Sequence, residues 1–235
     1  MGSSHHHHHH GSQNSLEAYT MKYNENGYGL LFPDGHVVRF YERILKYKLN
    51  KINGNLLDFG CGNGVHSAYF QSKGFKTFGI DIVPSLKEIW EQNISGGGYC
   101  KIIEPNSSIK GLFDENMDII FANQSLYYIP LKELKQNILE FYELLNTGGI
   151  LFATMMSKKN YYFSHSQKEE KNGLSKVEIN GRLNETSFIH FIDKAEDLEN
   201  LFQPFETLFL GDYDPINFYN FEGSAHHYIY IGIKK

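Results

Sequence analysis

The chain has 235 residues, of which 41% are hydrophobic and only 6 are proline, a composition typical of a globular protein. Its formal net charge is -5 and no block of lysine or arginine stands out, which argues against nucleic acid as a partner. No apolar run approaches the ~20 residues of a membrane-spanning helix and no signal peptide is visible, so we expect a cytoplasmic protein without a membrane partner.

The first twelve residues contain six consecutive histidines between glycine and serine residues. We interpret 1–12 as an expression tag, which could extend to residue 20, and expect 21–235 to form a single domain. Cys61 and Cys100 lie in apolar segments and are expected to be buried free thiols. No histidine outside the tag has metal-ligand spacing to other ligands, so no metal site is predicted.

Short apolar runs alternate with helix-like segments from about residue 36 to 154, which predicts βαβ units and a parallel sheet. Strands are expected at 55–59, 77–80, 100–103, 117–122 and 150–154. Apolar residues at helical spacing predict helices over 36–49, 65–73, 86–94 and 131–145. A helix at 194–202 and strands near 205–211 and 227–233, expected as an antiparallel hairpin, complete seven predicted strands.

The pattern breaks at residues 157–186, which are polar and rich in lysine and glutamate. They are predicted to be an insertion rather than another βα unit. Because the insertion follows the fifth strand, it should leave the sheet at the edge where ligands bind in open α/β folds. Residues 157–190 are therefore a candidate substrate lid, and His165 and His190 at its ends are candidate catalytic bases.

The strongest motif follows the first strand, where Asp58 precedes three glycines, Gly60, Gly62 and Gly64. Glycine permits a tight turn and a close approach of a ligand to the backbone. Exposed amides at the start of the next helix are expected to favour a carboxylate or phosphate. A dinucleotide fingerprint, G-x-G-x-x-G, would place its third glycine at Val65, so the spacing counts against a dinucleotide or nucleotide-sugar enzyme.

Asp81 ends the second predicted strand. An acid at this point of a nucleotide-binding unit accepts hydrogen bonds from ribose hydroxyls, and the two oxygens of a carboxylate can bind both. Paired with the glycine turn, Asp81 therefore predicts a nucleoside site.

Together, the strand, Asp58 and the alternating glycines resemble motif I of the class I S-adenosylmethionine-dependent methyltransferases. Residues 114–123 and 144–151 resemble the fourth strand and the fifth-strand turn of the same family. The resemblance implies an α/β fold with a doubly wound, seven-stranded, mostly parallel Rossmann-like sheet. S-adenosylmethionine would lie across the carboxyl ends of the strands and leave as S-adenosylhomocysteine.

The resemblance also implies the residues of the site. The expected cofactor contacts are Asp58, Gly60, Cys61, Gly62, Asp81, Ile82, Ser107 and Asn123. Ser107 stands where many relatives carry an acid beside the adenine, and Glu104 is the alternative. The expected substrate residues are Tyr28, His36 and Tyr128.

The implied reaction is methyl transfer to an oxygen or nitrogen of a small polar metabolite or carbohydrate precursor. The segment from Asn123 to Leu126 is not the Asn/Asp-Pro-Pro-Tyr of methyltransferases that modify the amino groups of bases and glutamine. This lowers the expectation of a nucleic-acid acceptor. Two alternatives remain, a protein that binds S-adenosylmethionine without catalysis and an RNA or DNA methyltransferase.

Overall fold

The computed structural model describes residues 32–181, 184–215 and 223–235. The predicted tag and Tyr28 lie outside these ranges. In the part of the chain that is described, no helix is long and apolar enough to cross a membrane.

The elements follow the predicted alternation closely. The strands are β1 (Gly54–Phe59), β2 (Phe75–Asp81), β3 (Cys100–Ile102), β4 (Met117–Ala122), β5 (Leu145–Met156), β6 (Ser175–Ile179), β7 (Glu185–Ile189), β8 (Glu206–Tyr213) and β9 (His227–Ile233). The helices are α1 (Gly35–Arg39), continued by a π-helix (Phe40–Lys48), α2 (Val65–Ser72), α3 (Leu86–Asn93), α4 (Leu131–Leu144), α5 (Tyr161–Ser164) and α6 (Asp197–Leu201), with a 3-10 turn at Leu126–Tyr128.

Seven strands form one sheet in the order β3-β2-β1-β4-β5-β9-β8. The pairs from β3 to β5 are parallel, whereas β9 is antiparallel to both β5 and β8. The predicted seven-stranded, mostly parallel sheet with a C-terminal antiparallel hairpin is confirmed. Because the strand order reverses between β1 and β4, a crevice opens at the carboxyl ends of these two strands.

Both faces of the sheet are covered, as the continuous apolar runs predicted. Leu56 and Ile119 pack into a core with Phe70 of α2 on one face. The neighbouring residues Leu57 and Ile120 point to the other face and pack with α4. This two-sided burial is typical of a doubly wound α/β sheet.

The insertion departs from the expected polar segment. Its strands β6 and β7 form a second, two-stranded antiparallel sheet. Val177 and Ile189 of this hairpin are fully buried in the same core as β4 and α4. The insertion was predicted, whereas the hairpin within it was not; the apolar residues of β6 alternate with polar ones and face the domain. The signal was present in Asn180-Gly181, a dipeptide that favours tight hairpin turns.

Candidate active site

The glycine turn connects β1 to α2 in the crevice. Gly60, Gly62 and Gly64 all have positive φ, at 77°, 55° and 87°. A Cβ on Gly60 would lie 2.7 Å from Ser125 Cβ, and one on Gly64 would lie 2.9 Å from Trp90 Cδ1. Backbone conformation and packing both exclude side chains here, so the spacing of the motif is a structural requirement.

The amides of this turn are used within the protein. Gly60 N and Cys61 N both donate to Ile80 O on β2, at 2.8 and 3.0 Å, and Gly64 N donates to Cys61 O. Gly62 N donates to Asp81 Oδ2 at 2.8 Å. These four amides, which precede the first residue of α2, are therefore not free to bind a ligand. They instead close the turn against β2.

Asp81 links the turn to the end of its own strand. Besides Gly62, its carboxylate accepts Ile82 N at 2.7 Å and Val83 N at 3.1 Å, both on Oδ1. Burial raises the pKa of Asp81, while these backbone hydrogen bonds oppose the rise. A carboxylate has about four acceptor sites, so three amides leave room for one further donor. The ribose contact of Asp81 stays a prediction.

Asp58, at the end of β1, is the most deeply buried acid of the turn region. Ser67 Oγ donates to Asp58 Oδ2 at 2.6 Å, and Trp90 Nε1 donates to Ser67 Oγ at 2.9 Å. Burial raises the pKa of Asp58 to about 7, with the hydrogen bond from Ser67 opposing the rise and the charge of Asp81 adding to it. No cation of the described residues neutralises it.

This chemistry fits S-adenosylmethionine. Its sulfonium and ammonium are cationic, its ribose carries two hydroxyl donors, and the crevice presents two buried acids at the ends of adjacent strands. A cationic ligand would stabilise the ionised form of Asp58, which the protein alone leaves poorly compensated. Asp58, Asp81 and the glycine turn are thus suited to hold it.

One of the two cysteines, Cys61, lies in the glycine turn, and the other, Cys100, is the first residue of β3. Cys61 and Cys100 are buried and free, and their sulfur atoms are 3.8 Å apart, well beyond the ~2.05 Å of a disulfide bond. The prediction of buried free thiols is confirmed. The backbone of Cys61 takes part in the hydrogen bonds of the glycine turn, and its contact with the cofactor stays a prediction.

Ser107 lies in the loop that follows β3. Its Oγ donates to Glu104 O at 2.6 Å, and its carbonyl accepts Asn137 Nδ2 from α4 at 3.2 Å. These bonds fix the loop that the resemblance assigns to the adenine. The adenine contact itself stays a prediction for both Ser107 and Glu104.

The start of α1 meets the end of β4. His36 Nε2 lies 2.8 Å from Asn123 Oδ1. The predicted substrate residue His36 and the predicted cofactor residue Asn123 are therefore brought together. The imidazole of His36 stacks on Tyr213, with ring centroids 3.7 Å apart and an interplanar angle of 8°.

Tyr213 continues this stack toward β9. Its ring lies parallel to that of His227, at 5.1 Å and 5°, because the two residues are direct cross-strand partners of β8 and β9. Gln124 Nε2 donates to Tyr213 Oη at 2.7 Å. His227 Nε2 lies 3.3 Å from Tyr127 Oη. We call His36, Tyr213, His227 and Tyr127 the aromatic wall.

The hydrogen bonds of the wall fix the protons on its two imidazoles. Asn123 Oδ1 can only accept, so His36 carries its proton on Nε2 and its lone pair on Nδ1. His227 Nδ1 lies 2.7 Å from Ala225 O and must donate, which leaves its Nε2 to accept from Tyr127. Burial lowers the pKa of His36 and lowers that of His227 to about 4, so both rings are neutral at pH 7.

The next histidine, His226, points away from the wall. It lies between Ser157 Oγ, 2.5 Å from its Nδ1, and Asp212 Oδ2, 2.9 Å from its Nε2. Ser157 has no exposed surface. This cluster joins the end of β5 to the start of β9, and the two adjacent histidines thus face opposite ways.

The candidate bases in the insertion are placed elsewhere. His165 is exposed, next to the ring of Tyr161. His190 donates its backbone N–H to Tyr127 O, but the charges that act on its ring are those of Glu169 and Lys135. In the described ranges, no contact joins either imidazole to His36 or Asn123, and their catalytic role stays a prediction.

The third predicted substrate residue, Tyr128, lies beside the wall, with its ring 4.6 Å from that of Tyr127. Sequence reasoning did not assign Tyr213, His227 and Gln124 to the site. No local signal marks Tyr213 or His227, because their positions depend on the pairing of β8 with β9. Gln124 follows Asn123 at the end of β4. Its position at the carboxyl end of a strand beside the switch point was a signal that could have assigned it to the site.

Comparison with known proteins agrees with this geometry. The family described as "Methyltransferase domain" matches residues 32–205. This chain belongs to the methyltransferase domain family. An uncharacterized methyltransferase of Bacillus cytotoxicus is 28% identical over 124 residues, which cover 50% of this chain and 54% of that protein. Phosphoethanolamine N-methyltransferase of Plasmodium falciparum is 29% identical over 133 residues, covering 54% and 50%. The matches thus span about half the length of these relatives.

Solved structures share the fold. A SAM-dependent methyltransferase of Methanosarcina mazei superposes with a TM-score of 0.64 at 20% identity, covering 87% of this chain and 99% of that one. N-methyltransferase NodS of Bradyrhizobium japonicum, in complex with S-adenosylhomocysteine, gives a TM-score of 0.63 at 13% identity, covering 94% and 98%. The predicted family, fold and cofactor, S-adenosylmethionine, are confirmed.

Proposed function

We propose that this protein transfers the methyl group of S-adenosylmethionine to an oxygen or nitrogen of a small polar acceptor bound against the aromatic wall. The observation that carries the proposal is the bond between His36 and Asn123. It joins the wall to the end of β4, the strand beside β1 and its glycine turn. Donor and acceptor sites therefore share one crevice.

When bound, S-adenosylmethionine supplies an electrophilic methyl group on a sulfonium. The task of the protein is to align the acceptor with it, and such positioning lowers the barrier substantially. The wall suits this task because stacking and hydrogen bonds hold Tyr213 between His36 and His227. The neutral His36, with its lone pair on Nδ1, can take the proton that the acceptor loses.

The insertion is proposed to control the access of the acceptor and not the affinity for the cofactor. Its residue His190 donates to Tyr127 O, and Tyr162 donates to Glu185 Oε2 at 2.7 Å near Tyr128. These contacts place the hairpin against the segment that follows β4. A small acceptor is favoured because the hairpin lies beside Tyr127 of the aromatic wall, where it would restrict the access of a large acceptor.

Two further points bear on the acceptor, one from a relative and one from the composition of the chain. The Plasmodium falciparum enzyme is named for an amine acceptor, which is consistent with transfer to nitrogen. The net charge of -5 and the lack of a lysine- or arginine-rich block keep nucleic acid disfavoured as the acceptor. A cytoplasmic location is proposed on the sequence alone.

The test is an acceptor screen with methyl-labelled S-adenosylmethionine and a small-molecule cell extract, followed by mass identification of the labelled product. We expect a singly methylated small molecule. Binding of S-adenosylmethionine without label transfer to any fraction would favour the non-catalytic alternative. Label found only in added RNA or DNA would overturn the small-acceptor proposal.

A further inference from the structure

The charges around the aromatic wall are all of one sign. The carboxylates Asp34 and Asp214 are the charged side chains that interact electrostatically with the wall and with the nearby His66. Asp58 and Asp81 lie in the same crevice. Among the described residues, no lysine or arginine contributes to the pKa of these imidazoles. The crevice is thus suited to a cation.

Asp34 acts on both His36 and Tyr213 of the wall, and no lysine or arginine of the described residues forms an ion pair with it. It precedes α1 as the N-cap residue, yet its side chain accepts no hydrogen bond from the helix. Its Oδ2 lies 3.5 Å from His66 Nε2, but that nitrogen accepts the backbone N–H of Asp34 at 3.2 Å. The lone pair on His66 Nε2 therefore already accepts a backbone hydrogen bond.

His66 does not gain a charge to neutralise Asp34. Burial lowers the pKa of His66 to about 4, and the charge of Asp34 opposes this only in part. At pH 7 the carboxylate faces a neutral ring, with 30% of its side chain exposed. Asp34 is thus an accessible acid, and His36, two residues along, holds a lone pair on Nδ1.

We propose that the methyl acceptor is an amine that enters as an ammonium ion, with Asp34 binding the cation and His36 Nδ1 removing its proton. This inference rests on the proposed function and names its substrate class. An acceptor with a phosphate or carboxylate beside the nucleophile would meet Asp34 with no cation among the described residues to offset the repulsion.

The step balances in atoms and charge. The ammonium gives one proton to His36 Nδ1 and becomes a neutral amine with a lone pair. That lone pair forms the new N–C bond as the C–S bond of the sulfonium breaks, its electron pair going to sulfur. The products are an N-methylammonium ion and S-adenosylhomocysteine, and the imidazolium of His36 then releases its proton to water.

The first experiment uses a cell extract divided into two portions, one treated with an amine-selective acylating reagent, the acetyl ester of N-hydroxysuccinimide. Each receives the protein and methyl-labelled S-adenosylmethionine, and products are identified by mass fragmentation. We expect an N-methylated product in the untreated portion and its loss after acylation. Label in an O-methylated product that survives acylation would overturn the amine class and leave the proposed function standing.

If neither portion is labelled while calorimetry shows that S-adenosylmethionine binds, the proposed function fails and the amine inference with it. The two failures are thus distinguishable. A labelled C- or S-methylated product would also overturn the amine class.

Variants test the role of Asp34 independently. Asp34→Asn keeps the shape but removes the charge, so we expect the KM for the labelled amine to rise about tenfold, the scale of a hydrogen bond to a charged group. The Kd for S-adenosylmethionine, measured by calorimetry, should stay within about twofold. Asp114→Asn, on an exposed residue before β4 at the opposite edge of the sheet, is the control. An unchanged KM in Asp34→Asn would contradict the cation site.

The pH profile tests His36. The groups that face it are Asp34 on the preceding segment, His66 on α2, Asn123 after β4, Tyr213 on β8 and His227 on β9. We expect kcat/KM for the amine to fall at acidic pH as His36 is protonated. His36→Gln should lower kcat and lose this acidic limb. A limb that persists unchanged in His36→Gln would overturn the role of His36 as the base.

Discussion

His36 and Tyr213, which are far apart in the sequence, stack face to face with ring centroids 3.7 Å apart. This contact joins the start of α1 to the end of β8 above the carboxyl ends of β1 and β4. Under the proposed function, this contact forms the surface that binds the acceptor.

Tyr213→Ala should therefore impair acceptor binding and spare the cofactor. Removing the ring leaves His36 and His227 without their shared stacking partner, and we expect the acceptor KM to rise at least about fivefold. Tyr213→Phe keeps the stack, loses the hydrogen bond from Gln124 and should have a smaller effect. Steady-state kinetics and calorimetry with S-adenosylmethionine make the comparison. Tyr47→Ala, at a ring 78% exposed on the π-helix, is the control.

Asp81→Ala removes a carboxylate that three amides share. We expect the affinity for S-adenosylmethionine to fall about ten- to hundredfold, through loss of the ribose acceptor and loosening of the turn at Gly62. The free energy of unfolding should also fall by about 1–3 kcal/mol because buried donors lose their acceptor.

The matched control for Asp81 is Asp118→Ala. Asp118 accepts Asn55 N at 2.8 Å and Asn146 Nδ2 at 3.1 Å, and it lies at the amino-terminal edge of the sheet, away from the crevice. Its loss should lower stability and leave cofactor affinity unchanged. Equal effects of the two variants on affinity would place the ribose elsewhere.

Asp58 predicts a pH dependence of cofactor binding. Its folded-state pKa is raised from 3.8 to about 7, so the native state holds a proton that the unfolded chain has lost. Stability contributed by this group is complete below about pH 4 and is lost as pH rises to about 7. A cationic ligand favours the ionised acid, so the affinity for S-adenosylmethionine should increase through pH 7.

Asp58→Asn tests both effects. The variant should lack the increase in S-adenosylmethionine affinity between pH 6 and 8, measured by calorimetry. We also measure the difference in the free energy of unfolding between the variant and the unmodified protein. This difference should favour the variant more at pH 8 than at pH 5, because only the unmodified protein loses stability as Asp58 ionises. If the affinity for S-adenosylmethionine depended on pH in the same way in the variant and the unmodified protein, the ionisation of Asp58 would not contribute to cofactor binding.

Ile189→Ala tests whether the insertion belongs to the core. Ile189 is fully buried, so truncation should lower the free energy of unfolding by about 2–5 kcal/mol in urea denaturation. Ile179→Ala, on the same hairpin but only partly buried, should cost clearly less. Equal, small losses would mean that the hairpin lies loosely on the domain.

The features that could be predicted from the sequence are those that depend on residues close together in the chain. The glycine turn, its acids and the alternation of β1 to β5 with helices follow from spacing within short segments. The bonding of Gly60 N and Cys61 N within the protein was not predicted, because their acceptor, Ile80 O, lies on another strand. The hairpin at 175–189 was missed because four charged residues, Lys176, Glu178, Arg182 and Glu185, are interspersed among its buried residues.

The aromatic wall could not be predicted for a related reason. His227 and Tyr213 meet only through the register of β8 and β9, which are joined by a long connection without a diagnostic turn. A shift of one residue would move each ring to the other face of the sheet. Strand positions were predicted, and the register was not.

The identity of the cofactor site depends most directly on which nucleoside the glycine turn and Asp81 bind. Calorimetric titration of the protein with S-adenosylmethionine, S-adenosylhomocysteine and NAD, under one set of conditions, measures this. We predict that the first two bind with a stoichiometry near one and that NAD produces no binding heat. Binding of NAD without binding of S-adenosylmethionine would contradict the assignment of the site.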